Sequence, residues 1–495
     1  MGKDKRVVAS IGSRAALLAA CGIASQFAII ASLPLLARLY APAAMGVYTL
    51  FVGALAIASV PAGLRYESAL VLPREDPVAS ALAGLVLGLA GAVMASCVAV
   101  SLLCWAWLRE PYPGLGWIEA GVALALATFL GAAQRVQVAW YTRDQRFGLV
   151  GLGQVLLNAG IVVVQLLLGL AGFVSARFLI WGHVAAVTLS AALLAVPLAG
   201  PAFSRLVSGW SARAFRSSAK RYRRFPKYMV AYGLAGQLRE RLFHAMLAAG
   251  AGVAQVGQFG LAARLTGAPN TLAYASISPV FYTFASRNAA SAVGRITASL
   301  IEMLSVALGL PFLVVAIESR AIVELLLGPQ WDVAAGYLAW LALPMYVLAV
   351  TCWIDRLFDV YGRQKYGLWL EGGFFAVITL QSASLFVAGH PGLVVPMFAM
   401  TSTVYYLLYA RVAIRTSRLV LGDLRRVVAV TAGALIVGGA TWSVLPAGWP
   451  AYGRLLAYFG AYLALVLAWL AVGGRSRVFD VFGARRASAT VGVDE

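Results

Sequence analysis

Three ionisable residues in succession, Arg239, Glu240 and Arg241, stand inside a stretch that is otherwise largely apolar from 229 to 250. Counted from Pro226 at about 1.5 Å per residue, they lie about 18 to 22 Å along a helix, the middle of a hydrocarbon core about 30 Å thick. A charge at that depth costs about 2.5 to 3.5 kcal/mol on the gentlest scale, so such groups face a polar path or pair between helices. Their chemistry is that of holding charge, not of breaking bonds. Arg239 and Arg241 sit about 200° apart around the helix, so one is expected to meet the path while the other pairs with Glu240 or a neighbouring helix. Glu240 shares a face with His244 at i,i+4. The alternative for the group is a structural ion pair between helices.

Four further places carry charge near apolar stretches. Arg264 precedes Gly267 and Pro269, which can kink a helix; it faces the path or snorkels to the outer face. Arg65 and Glu67 close the second stretch and can pair with one another, bind an entering anion or anchor at the interface. Asp355, Arg356 and Asp359 close the tenth, with Asp355 and Asp359 on one face, as a cation or proton site or a salt-bridge cap. Glu302 and Glu371 lie near helix ends and receive no role. Signatures of covalent or metal chemistry are absent. There is no G-x-x-x-x-G-K-[ST] loop, no H-E-x-x-H, and His183, His244 and His390 are scattered. Cys21, Cys97, Cys104 and Cys352 fall within apolar spans and read as small hydrophobes. Neither a metal nor a cofactor is expected.

The elements that position these residues are membrane helices. With 61% hydrophobic and 12% charged residues and a mean hydropathy of +0.84, the chain reads as an integral membrane protein. About fourteen stretches reach the length of a span, near 14–37, 44–64, 78–104, 117–139, 148–170, 176–198, 229–250, 257–281, 296–317, 333–354, 366–388, 391–411, 427–445 and 453–472. Basic residues gather in every second gap, whereas the opposite gaps hold only Arg38, Arg109, Arg177, Arg320 and Arg454. By the positive-inside rule both ends lie in the cytoplasm. The first stretch, Ala15 to Leu36, is longer than a signal-peptide core and lacks a small-x-small cleavage site, so it is expected to be retained. The net charge of +20 sits at helix ends, facing anionic headgroups. Basic and aromatic residues do not interleave on a polar segment, which excludes nucleic acid as a partner.

The expected division is an N-terminal lobe of six helices, 1–198; a basic cytoplasmic linker, 199–228, serving as surface helix or tether; a C-terminal lobe of six helices, 229–411; and two last helices with a basic cytoplasmic tail, 412–495. Six being even, helix seven starts on the same face as helix one, which permits a parallel repeat. Ala43, Gly46, Tyr48 and Leu50 fit A-x-x-G-x-[YF]-x-L, and so do Ala254, Gly257, Phe259 and Leu261, offset by 211 at each position. Two six-helix lobes around a central cleft are the architecture implied.

The run Arg38 to Pro42 leading into Gly46, Val47 and Tyr48, and the run Leu64 to Pro73, resemble the opening of bacterial polysaccharide flippases. These belong to the multidrug/oligosaccharidyl-lipid/polysaccharide exporter superfamily. Arg224-Phe225-Pro226, then Gly257 through Arg264, Pro269 and Ser278-Pro279-Val280-Phe281, are similar to the midpoint of the same family. The likeness covers about the first 290 residues well and the rest by helix count. It implies alternating-access translocation of a polyprenyl-diphosphate-linked oligosaccharide across the cytoplasmic (inner) membrane of a bacterium, for O-antigen, capsule or exopolysaccharide. Membrane lipids and a polysaccharide polymerase are the further partners implied. Such a cargo needs cations in its path, which makes Arg239, Arg241, Arg264 and Arg65 the candidates for cargo contact and Glu240, Glu67, Asp355 and Asp359 those for pairing or ion coupling. Family members often carry uncharged polar residues where Arg239 to Arg241 stand, so these arginines point to a substrate of this chain's own. A cation-coupled multidrug exporter or lipid II exporter of the same fold, and a membrane polysaccharide polymerase or ligase, are the alternatives; the first should prefer acidic cavity residues, the last a long outward loop.

Overall fold

The computed structural model describes residues 2–107, 115–223, 226, 230–419, 425–445 and 449–471. Arg109, Arg224, Phe225, Lys227 and the expected tail beyond 471 lie outside them. The regular elements are helices: α1 (Gly2–Leu39), α2 (Pro42–Gly63), α3 (Tyr66–Ala69), α4 (Asp76–Trp107), α5 (Trp117–Arg143), α6 (Phe147–Leu170), α7 (Ala176–Ala195), α8 (Pro201–Val207), α9 (Ala212–Arg221), α10 (Ala231–Ala251), α11 (Val253–Arg287), α12 (Ala290–Ile317), α13 (Ser319–Leu326), α14 (Asp332–Thr351), α15 (Arg356–Val360), α16 (Gln364–Val387), α17 (Val394–Thr416), α18 (Arg425–Val444) and α19 (Ala451–Trp469). Local chemistry sets several boundaries. Pro42 and Pro201 open α2 and α8, where a missing N–H costs nothing. Ser211 caps α9 by accepting from the Ala214 N–H at 3.1 Å. Gly252, at φ 94°, separates α10 from α11 in a conformation that a side chain would strain.

Among the described residues eleven helices are long and apolar enough to cross a membrane. The chain is a multi-pass integral membrane protein. Three of the fourteen expected spans fall outside that number although each is present as a helix. Within its single span length α10 carries Arg239, Glu240 and Arg241, and α11 carries polar residues from Gln255 to Asn270. The apolar run of α18, Thr431–Val444, is shorter than a full span.

Two compact units compose the chain, Met1–Gly260 and Leu261–Glu495. In the first, α4 packs on α5, α1 on α6, and α7 on both α5 and α6. The core there gathers Leu82, Val86, Trp140, Tyr141 and Leu194, each at most 2% exposed. Gln134 is buried among these helices and spans them by donating to Ser190 Oγ at 2.8 Å and to the Gly153 carbonyl at 3.2 Å. In the second unit α12 packs on α14 and α18, and α17 on α14 and α16, around Phe281, Trp353, Ile354 and Leu357. The last helix, α19, is tied to α12 just past its C-terminal end and near its middle. Arg454 of α19 grips Glu318 with two hydrogen bonds, 3.0 and 2.8 Å, and Trp469 donates to Glu302 Oε1 at 3.1 Å.

The basic segment after α7 is docked, not a free tether. Ser80 of α4 donates to the Leu206 carbonyl at 2.6 Å and accepts from the Gly209 N–H at 2.9 Å. A Cβ at Gly209 would run into the Pro77 carbonyl, and one at Gly84 would press on the Phe215 ring, so both glycines permit the approach of α8 and α9 to α4. Arg205 reaches Asp144 at 3.5 Å, and Tyr66 donates to the Ala219 carbonyl at 3.3 Å. Arg213, Arg216 and Lys220 remain on the exposed face.

The two copies of the repeated motif meet in the first unit. A Cβ on Gly46 of α2 would run into the carbonyl oxygen of Val253, and one on Gly257 of α11 into that of Pro42. Since 42 and 253 are themselves equivalent in the repeat, the contact is reciprocal, each glycine admitting the first turn of the other helix. Thr49 and Gly260, another equivalent pair, face each other with Oγ1 3.2 Å from where a Gly260 Cβ would stand. Backbone cannot retreat as a side chain can. Gly46→Val and Gly257→Val are each expected to cost about 1–3 kcal/mol and to lower the thermal midpoint of the detergent-purified protein. Gly267→Ala, which meets nothing within 4 Å, should leave it unchanged or raise it.

Candidate functional site

In the first unit α2 ends on two successive non-glycine residues in the left-handed region, Leu64 at φ 45° and Arg65 at φ 62°. Each such residue costs about 1–3 kcal/mol and persists only where its surroundings over-determine it. The double reversal folds the single turn α3 back so that Glu67 tucks beneath the end of α2. Gly63 makes room for it, because a Cβ there would collide with Glu67 Oε2. Glu67 is 9% exposed. Its Oε1 lies 3.8 Å from Nε of Arg135 on α5, a distance for an ion pair but not for a hydrogen bond. Glu67 Oε2 and Arg135 Nη2 are both buried and neither has a hydrogen-bond partner. Arg65 lies within electrostatic reach of Arg135. On sequence grounds Arg65 and Glu67 can pair with one another, bind an entering anion or anchor at the interface; in the structure it is Arg135 that faces Glu67. Arg135 had its own signal, an isolated cation inside the apolar stretch 117–139, the pattern that also marks Arg239 to Arg241.

On α10, Arg241 lays its stem over Gly53 of α2, with Cδ 3.1 Å from the position a Cβ would take. Its Nη1 lies 3.2 Å from Glu240 Oε1, and its Nε is buried without a hydrogen-bond partner. Arg241 thus stands beside Glu240 while its Nε stays free of that pairing. Arg239 lies on the same helix, with its side chain outside the described residues. His244 is buried and donates from Nδ1 to the backbone carbonyl of Glu240 at 2.9 Å, while its ring packs on Phe259. The shared face of Glu240 and His244 thus joins ring to backbone at this bond, with the Glu240 side chain mostly exposed.

The second unit holds two further candidates. Arg264 is half-buried on α11, ahead of Pro269 and Pro279 within the same helix. Asp355 and Asp359 flank one cation. Arg356 donates from Nε to Ser278 Oγ at 2.7 Å, from Nη2 to Tyr274 Oη at 2.6 Å and from Nη1 to Asp359 Oδ2 at 3.3 Å. Tyr274 in turn donates to Asp355 Oδ2 at 3.0 Å, while Asp355 Oδ1 is buried with no hydrogen bond. Tyr274 and Ser278 were not legible as partners, since nothing in the sequence shows which face of α11 meets α15. Among the described residues no group of three or more His, Cys, Asp or Glu could hold a metal ion.

The planar guanidinium of Arg356 reaches three partners from three separate nitrogens, a spread that the single nitrogen of an ammonium does not have. Arg356→Lys is expected to destabilise the purified protein by about 1–3 kcal/mol. Asp359→Asn, which removes one contact at 3.3 Å on a half-exposed carboxylate, should cost less in the same thermal melt.

The family model described as "Polysaccharide biosynthesis protein" matches residues 35–336. No curated protein matches the sequence. Among solved structures, the lipid II flippase MurJ in an inward closed conformation aligns with a TM-score of 0.69 at 10% identity, covering 92% of this chain and 99% of that one. A multidrug resistance MATE family transporter of the MOP superfamily, in an inward-facing conformation, aligns with a TM-score of 0.58 at 14% identity, covering 81% of this chain and 99% of that one. At these identities the likeness is one of fold. The matched stretch contains Arg65, Glu67, Arg135, Arg241 and Arg264, and the chain, a membrane protein whose described residues form helices in the fold of these two structures, belongs to the polysaccharide biosynthesis protein family.

Proposed function

We propose that the protein is a translocase that carries polyprenyl-diphosphate-linked oligosaccharide repeat units from the inner to the outer leaflet of a bacterial cytoplasmic membrane, by alternating access, for surface polysaccharide assembly. The observation that carries this reading is Arg241, a cation about halfway along α10, beside Glu240 and with a buried Nε that no hydrogen bond meets. An anionic headgroup passing through the membrane needs such a cation and supplies its missing acceptors. Membership of the polysaccharide biosynthesis family supports a glycan cargo, and a fold shared with a flippase named for lipid II supports one linked to lipid. Arg239 and Arg264 are proposed as further contacts along the path. Fourteen crossings, with both ends in the cytoplasm, complete the proposal; the alternation of basic residues supports that topology. On this reading the protein moves its cargo without making or breaking a covalent bond, and a polymerase acts after it.

One observation favours a second reading, a cation-coupled exporter of the same fold. The cluster of Tyr274, Asp355, Arg356 and Asp359 leaves Asp355 Oδ1 buried and unmet.

Leaflet assays separate the two. Host cells depleted of the protein and supplied with Arg239→Gln/Arg241→Gln are expected to hold single repeat units on the inner leaflet, read by a sugar-specific probe on sealed spheroplasts, and to lose surface polymer. Unimpaired export by the double variant, with loss on Asp355→Asn instead, would favour the second reading. Single units stranded on the outer leaflet would place the protein after translocation, as a polymerase or ligase.

Topology has its own test. A reporter fused after Ala251 is expected to signal from the periplasm and one fused at Ser218 from the cytoplasm, and the opposite pair of signals overturns the orientation.

A further inference from the structure

The pair formed by Glu67 and Arg135 differs from the bridge between Glu318 and Arg454. In that bridge both nitrogens that reach the carboxylate do so within 3.0 Å, and the carboxylate is spent in two directed hydrogen bonds. Between Glu67 and Arg135 the separation is 3.8 Å, no hydrogen bond forms, and each partner keeps one buried polar atom unmet. A charge pair taken out of water is worth its desolvation only when geometry is good and the remaining donors and acceptors are satisfied. This pair meets neither condition. Arg65 adds a second cation within electrostatic reach of Arg135, so two guanidinium groups and one carboxylate leave the cluster with a net positive charge. The arrangement is nevertheless held firmly. The left-handed Leu64 and Arg65 fix the reversal, a Cβ at Gly63 would collide with Glu67 Oε2, and Leu64 and Tyr66 on either side of Arg65 pack in the core around Trp140.

We infer that Arg65 and Arg135 form an anion-receiving site in which Arg135 takes a phosphate of the cargo's diphosphate and Glu67 holds the guanidinium in place until it arrives. A phosphate matches the fork of Arg135 with two parallel N–H donors and occupies the Nη2 group that has no partner now. A third of the Arg135 side chain is accessible while Nη2 itself is buried, so an anion meets the exposed part of the residue first. The residue lies eight positions before Arg143, about 12 Å along the axis, and Arg143 bonds the Pro73 and Arg74 carbonyls and Asp76 at the end of α5. In the orientation proposed above, that depth suits the first stop of a diphosphate drawn in from the inner leaflet. The inference rests on the translocase reading and adds to it the residue that receives the charged group.

The test uses the full chain in nanodiscs of zwitterionic lipid, titrated with undecaprenyl diphosphate and, separately, with phosphatidylglycerol, with binding read by native mass spectrometry and a thermal melt run on each variant. The wild type is expected to bind the diphosphate lipid in preference to phosphatidylglycerol. Arg135→Gln should weaken diphosphate binding about ten-fold or more, equivalent to about 1.4 kcal/mol. Glu67→Gln should bind as tightly or more tightly, because it frees the same guanidinium. Opposite responses of the two partners are the signature sought; a merely structural pair would weaken alike from either side. Should Arg135→Gln fail to fold, Glu67→Gln/Arg135→Gln removes both charges together and is expected to show the same ten-fold loss. Unchanged affinity in the arginine variants, with wild-type binding intact, overturns the inference alone. Equal affinity for phosphatidylglycerol, lost in parallel on Arg135→Gln, makes this a general headgroup site and overturns it too. A wild type that binds no diphosphate lipid overturns the translocase reading along with it.

Discussion

Hydrocarbon offers no solvation to a charge, and the architecture of this chain follows from how each ionisable side chain meets that constraint. Where a charge has only to be stored, it is stored completely. Glu318 and Arg454 close on one another through two hydrogen bonds, and Glu119 accepts from both Arg177 and Trp181. Elsewhere the storage is incomplete. Arg241 and Arg135 retain buried nitrogens with no acceptor, and Glu67 retains a buried oxygen with no donor. Incomplete satisfaction is expensive in a stable fold, so these charges on α3, α5 and α10 of the first unit, together with Asp355 in the second, mark where stability has yielded to another demand.

Much of the helical architecture was legible because apolar length is a property of whole segments, which survives errors of a few residues at any boundary. The mid-helix position of Arg239 to Arg241 was legible for the same reason. Partnership was not. Glu67 had Arg65 two residues away in sequence, yet two left-handed residues turn the chain so that Arg135, sixty-eight positions on, faces the carboxylate instead. The docking of α8 and α9 depends on Ser80, Gly84 and Gly209, small residues whose meaning lies in what approaches them. Likewise the repeat was visible as an offset of 211, whereas the mutual contact of its two copies is a fact of three dimensions.

The strained end of α2 shows how a short-range device serves a long-range one. A helix closed by glycine in the left-handed region would end at little cost, but here glycine sits one residue earlier, at 63, where it provides space instead of backbone freedom. Leu64 and Arg65 then carry the reversal themselves. The free energy stored there is recovered from the packing of Tyr66, Ala69 and Leu70 into the core beneath. Position is thus purchased with strain, and what it positions is a carboxylate and a guanidinium.

Where α2 and the first turns of α11 touch, room is shared between the two helices. Gly46 and Gly257 each admit the backbone of the other helix, and Thr49 Oγ1 stands 3.2 Å from where a Gly260 Cβ would lie. A side chain can grow at one of these positions only while its neighbour across the contact stays small, so the permitted residues on α2 and on the start of α11 are set jointly and neither helix can drift in sequence without the other.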